Sequence, residues 1–246
     1  MSFSQRMGGE VRAFLASLRD GVRLWKLAPI IPALAVLPEF AQHVVEIRLG
    51  MFASHDAFAA FGSAPARMSL GAIKMAGFLI AILLAARFWA NRAEGARFWS
   101  LAGIGWKQVL LGFAVQVLCS IPGLFAFRLP PAGQFALSAS LFVASLPGLV
   151  LMIGGLLGDR TSGLKDAYRN GWGQALRMAL FTGPVFALLQ QLHHGNHVFA
   201  LGKPLAVVWG LMTWDALLVG LIATMVGTGL YYGYRGGRFL SSSLQA

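Results

Sequence analysis

Six apolar runs, each about the length a bilayer demands, restrict this chain to very few folds. A spanning helix takes ~20 consecutive, mostly apolar residues, and such runs lie near 27–49, 71–90, 108–127, 135–157, 175–194 and 205–231. Hydrocarbon offers the backbone no hydrogen-bond partner, so runs of this length read as helices. Of the 246 residues, 57% are hydrophobic and 12% charged, about half the charge of a soluble domain. The expected fold is an all-α, polytopic bundle of six transmembrane helices. Residues 1–26 form an amphipathic segment before it, and 232–246 a tail after it. Pro29, Pro32, Pro38, Pro122, Pro147 and Pro184 interrupt the runs. Such breaks are tolerated where neighbouring helices or water satisfy the freed backbone. Span 1, with three of them, is either a kinked span or a broken helix lining a site.

The net charge of +11 would suggest nucleic acid in a soluble protein. Here the bases fall in short loops between apolar runs, which points to a membrane surface and to no nucleic acid. Arg6, Arg12, Arg19, Arg23 and Lys26 precede span 1. Arg87, Arg92, Arg97 and Lys107 belong to the second loop, Arg160, Lys165, Arg169 and Arg177 to the fourth, and Arg235 and Arg238 to the tail. Only Arg48, Arg67, Lys74, Arg128 and Lys203 fall on the opposite side. By the positive-inside rule both termini are cytoplasmic. The excess of Arg over Lys, with abundant Ala, Gly and Leu, points to a GC-rich bacterium, and with the apolar spans the expected location is its inner (plasma) membrane. The first 26 residues lack a continuous apolar core and a cleavage site, so they do not read as a signal peptide. The single cysteine, Cys119, excludes a disulfide framework and a Cys-based metal site.

Residues 8–26 place Val11, Phe14, Leu15, Leu18, Val22 and Trp25 on one stripe at ~100° per residue. Arg12, Arg19, Arg23 and Lys26 line up beside it. The pattern fits a helix in the cytoplasmic headgroup plane with its basic edge towards anionic lipid. A helix packed on the protein's own loops would show the same stripe. Faint internal similarity follows: Leu18-Arg19-Asp20-Gly21-Val22-Arg23 matches Leu164-Lys165-Asp166-Ala167-Tyr168-Arg169, and Gly105-Trp106-Lys107-Gln108 matches Gly171-Trp172-Gly173-Gln174. The simplest reading is three units, each a short amphipathic helix followed by a transmembrane hairpin. Carried by Arg19-Asp20-Gly21, Gly105-Trp106 and the stretch from Asp166 to Trp172, this arrangement resembles the YciC-like six-span bacterial inner-membrane proteins. It also resembles the membrane domain attached to some glycerophosphodiester phosphodiesterases. The resemblance implies an integral membrane protein and carries over no active-site residue.

Ionisable groups at membrane depth are costly and so are functional candidates. Span 1 carries Glu39, Gln42, His43 and Glu46, whose offsets of three, four and seven share one helix face. Span 6 adds Asp215. Gln190, His193 and His194 stand near the end of span 5, then Gly195-Asn196 as an expected helix stop, then His197. These groups are expected to line one cavity open to the non-cytoplasmic side. Three functions compete. Glu39, Glu46 and Asp215, with His43 as relay, suit a path for a proton, a cation or a small polar solute. His43, Glu46, His193, His194 and His197 offer donors for a divalent metal such as zinc, although their spacing is not HExxH. Heme held by His43 and a rim histidine is a further use of the same donors. The third reading is a scaffolding or assembly subunit with a membrane-protein partner or a second copy, its polar face and small residues serving helix contacts. Against the path reading stands plain charge pairing, in which Lys74 or Arg48 merely neutralises Glu46 and serves packing alone. No Walker A loop, GxSxG, CxxC or HExxH occurs, so a non-enzymatic protein is expected.

Overall fold

The computed structural model describes residues 3–235, and every regular element among them is helical. Arg238, counted above with the tail, lies outside the described residues, as does the tail beyond Arg235. The helices are α1 (Phe3–Leu27), α2 (Ile30–Arg48), α3 (His55–Phe61), α4 (Pro65–Ala93), α5 (Trp106–Ser120), α6 (Pro131–Leu156), α7 (Leu164–Asn170), α8 (Trp172–Ala200) and α9 (Leu205–Arg235). Six stretches are long and apolar enough to cross a membrane: α2, α4, α5 with the 3-10 turn that continues it to Arg128, α6, α8 and α9. Large apolar side chains on them stand exposed, Phe127 at 72% and Phe135 at 77%. A soluble surface rarely carries so much contiguous apolar area.

The chain divides into two units, one of residues up to Trp89 with Phe181–Gly229, the other of Ala90–Leu180 with the residues from Leu230 on. The first holds the polar groups of span 1. Its α2 starts at Pro29 and Pro32, in the first turn, where a missing N–H costs no helical bond. Pro38 sits inside the helix without ending it. Gly50, left-handed at φ 72°, closes the helix, its N–H donating to Ile47 O at 3.0 Å. Close approach needs small residues: a Cβ on Gly77 of α4 would strike the Leu34 carbonyl of α2, and one on Gly227 of α9 the Ile82 carbonyl of α4. Trp89 Nε1–H donates to Thr228 Oγ1 at 3.0 Å, and Trp25 Nε1–H to Thr224 Oγ1 at 3.2 Å.

On α1 the expected stripe divides. Phe14 packs edge-on against Phe181 and Leu24 is buried, while Val11, Leu15 and Val22 are each more than half exposed. Arg12, Arg19, Arg23 and Lys26 are all exposed, and Asp20 pairs with Arg19 and Arg23.

In the second unit α5 and α6 pair through glycines, with Gly105 N–H donating to Gly155 O at 2.8 Å. Asp159 organises the α6–α7 loop, accepting from Thr161 N–H and Oγ1–H at 2.9 Å, Ser162 Oγ–H at 2.8 Å and Tyr234 Oη–H at 2.9 Å. Partial burial pushes its carboxyl up, but these donors outweigh that and hold it well below the usual carboxylate range. The short helix expected ahead of the middle hairpin is replaced by turns over 94–105. Gly95 and Gly103 there adopt φ 68° and 81°, which no helix accommodates.

Candidate cation site

The first unit gathers the intramembrane ionisable groups of α2, α4, α8 and α9 in one place. From α2 come Glu39, Gln42, His43 and Glu46, all buried and on one face, as their spacing predicts. Two cations of α4 answer them. Arg67 Nε–H donates to Glu46 Oε1 at 2.8 Å, and Lys74 Nζ–H to Glu39 Oε1 at 2.9 Å. Both pairs are seven residues apart on their own helices, so two antiparallel helices meet as a matched ladder. Lys74 therefore neutralises Glu39 and not Glu46, and Arg48 stays exposed. Arg67, outside the expected second span, starts α4 because that helix begins six residues earlier, at Pro65.

His43 has a carboxylate on each side. Its Nδ1 lies 2.9 Å from Glu46 Oε2, and its Nε2 lies 3.1 Å from Asp215 Oδ2 and 3.3 Å from Glu39 Oε1. A neutral imidazole has one N–H, so it satisfies one flank only. The other calls for a positive charge, supplied by a second proton on the ring or by a metal ion.

Asp215 of α9, fully buried, is the meeting point. Its Oδ2 lies 2.7 Å from His193 Nδ1, 3.1 Å from His43 Nε2 and 3.4 Å from His197 Nε2. Its Oδ1 accepts from Asn196 Nδ2–H at 2.7 Å. Three imidazoles crowd one oxygen that has two lone pairs. Meanwhile Glu39 Oε2, Gln42 Oε1 and His197 Nδ1 are buried with no hydrogen-bond partner, a costly state where such groups are normally satisfied.

His197 reaches the cluster because α8 does not stop at Gly195-Asn196. It runs on to Ala200, which keeps His193, Asn196 and His197 on one face. In an apolar setting a helix satisfies its own backbone, so one interior glycine does not end it. The stop comes at Gly202, left-handed at φ 68° and followed by Pro204, the usual order of terminators. His194, one residue round the helix, is exposed and lines the adjoining cavity without joining the cluster. Glu46 lies behind His43, its oxygens engaged by Arg67, Gln42 and His43.

Four groups remain as a compact donor set. One ligand atom from each of Glu39, His193, His197 and Asp215 lies within 4.8 Å of the others. Donors of a tetrahedral zinc stand about 3.3–3.6 Å apart at ordinary bond lengths, so a modest contraction closes the set. Two imidazoles and two carboxylates suit zinc and its first-row neighbours better than calcium or magnesium. The orphaned Glu39 Oε2 fits that role, while His197 faces Asp215 through Nε2.

A cavity of about 310 Å³ adjoins the cluster, lined by the polar Arg67, Lys74, Gln190, His193, His194 and His197 and by the apolar Phe58, Val198 and Leu201. Behind His197 lies a dry layer of Phe52, Ala200, Val208 and Met212. The rings of Phe52 and Phe58 stand 5.9 and 6.2 Å from the His197 ring. Compared with known proteins, the chain matches no family model, no curated protein and no solved structure.

Proposed function

We propose that this chain is an integral membrane protein that binds a divalent ion of the zinc class through Glu39, His193, His197 and Asp215. One observation carries the reading: four compatible donors converge within 4.8 Å where Glu39 Oε2 lacks a partner. Charge favours it too. Arg67 and Lys74 answer Glu46 and Glu39, and the third buried carboxylate, Asp215, meets only imidazoles and an amide, so a proton or a metal ion is left to offset it. The ion is handled without chemical turnover, entering through the cavity from the non-cytoplasmic side.

The excess of bases before span 1 and in the second and fourth loops supports cytoplasmic termini. The exposed Val11, Leu15 and Val22 beside Arg12, Arg19 and Lys26 support an α1 lying against anionic headgroups. Elemental analysis of the detergent-purified protein tests the reading. It predicts about one zinc per chain, lost in His193→Ala and in Asp215→Asn. A metal-free protein that takes up no added zinc contradicts it.

One contact favours a second reading, passage of protons: His43 joins Glu46 and Asp215 through its two ring nitrogens. That role predicts proton flux in proteoliposomes, abolished by Glu39→Gln and Asp215→Asn with insertion intact. Flux unchanged by both substitutions would sink it.

A further inference from the structure

We propose that the metal-loaded cavity binds an oxyanion, a phosphate or carboxylate group, beside the metal site and against the side chains of Arg67 and Lys74. This inference rests on the metal reading above and adds the ligand class.

Charge turns over when the ion binds. With neutral histidines, Glu39, Glu46 and Asp215 outweigh Arg67 and Lys74 by one negative charge. A divalent ion converts that to one positive charge in a mostly desolvated place. A monoanion then restores neutrality, which buried charge strongly favours.

The donors for such an anion are already present. Lys74 has three N–H groups, of which Glu39 takes one. Arg67 has five, of which Glu46 and the Gly62 carbonyl take two. Both side chains keep partial exposure, 24% for Arg67 and 20% for Lys74, and both line the cavity. So do His193 and His197, two of the four metal donors, so an anion in the cavity would lie next to the ion's own ligands and within reach of its charge. Phe58, Val198 and Leu201 add apolar lining to the same cavity. At about 310 Å³ the space falls in the range of small-ligand pockets. An anionic group at the polar side chains and a hydrocarbon portion along the apolar ones fit together, so the same chemistry arrives either as free phosphate or as a lipid headgroup.

Calorimetric titration of the detergent-purified full chain separates the possibilities. Inorganic phosphate is one probe, dioctanoyl phosphatidic acid the other, and dioctanoyl phosphatidylcholine the control without net charge. Each is added to zinc-loaded and zinc-free protein, with zinc content read in the same samples. The proposal expects an anion to bind the zinc-loaded form at least about tenfold more tightly than the zinc-free form, since the metal adds two charges within ångströms of it. Binding of phosphate supports a free anion, and binding of phosphatidic acid alone supports a lipid headgroup. Arg67→Gln that retains zinc is expected to weaken binding about tenfold. Equal affinity with and without zinc, or no binding of either anion to zinc-loaded protein, overturns this inference and leaves the metal reading standing. Failure to take up zinc overturns both.

Discussion

Asp215 holds three imidazoles and an amide on two oxygens, so the cluster's order depends on one carboxylate. Removing one member of a buried charged network leaves the others desolvated and unpaired, at a cost of about 3–5 kcal/mol. Asp215→Ala should therefore lower the thermal midpoint in detergent and abolish zinc uptake. His193 and His194 give a sharper contrast. They are neighbours in sequence, but His193 lies against Asp215 and His194 does not join the cluster. Zinc titration should show loss of binding in His193→Ala and affinity within a few-fold of wild type in His194→Ala. Equal loss in both would place the metal elsewhere on α8. The sequence makes Glu39, His43 and Glu46 readable, because offsets of four and seven define one face in any helix. Arg67 is harder to find: its signal is the seven-residue spacing to Lys74 that mirrors Glu46 and Glu39. That spacing acquires meaning only once α2 and α4 are known to pair.

At the scale of elements, helix existence follows from apolar length, whereas helix ends follow from competing terminators. Gly195 looks like a stop in isolation, yet the pair Gly202 and Pro204 ends α8, and those seven residues decide whether His197 meets Asp215. Contact between α4 and α9 depends on a position with no side chain. Gly227→Leu should cost about 1–3 kcal/mol or more through overpacking, read as a lower unfolding midpoint. An unchanged midpoint would mean that the helices separate easily there. The α6–α7 loop makes a pH prediction. A carboxyl whose folded pKa is depressed adds stability above its unfolded pKa, near 4, and loses it as pH falls below that. Asp159 is such a group. Thermal stability should therefore drop as pH falls from about 5 towards 3, and less steeply in Asp159→Asn. Parallel profiles for the two proteins would remove Asp159 from that account.

For the whole molecule, hydropathy locates all six spanning helices, while tertiary meeting is not legible. Nothing in one sequence says that α2, α8 and α9 converge, because each presents only its own face. A topology prediction belongs at this scale: reporters fused at residue 246 should be active in the cytoplasm, and one inserted after Lys203 on the opposite side. The reverse pattern would turn the cavity inward and contradict the proposed route of entry. The central claim is the donor set itself, and zinc-edge X-ray absorption on the loaded protein tests it most directly. The account predicts only nitrogen and oxygen neighbours at about 2.0–2.2 Å, with two imidazoles, falling to one imidazole in His197→Ala. A sulfur shell near about 2.3 Å, or a shell unchanged by that substitution, would contradict it.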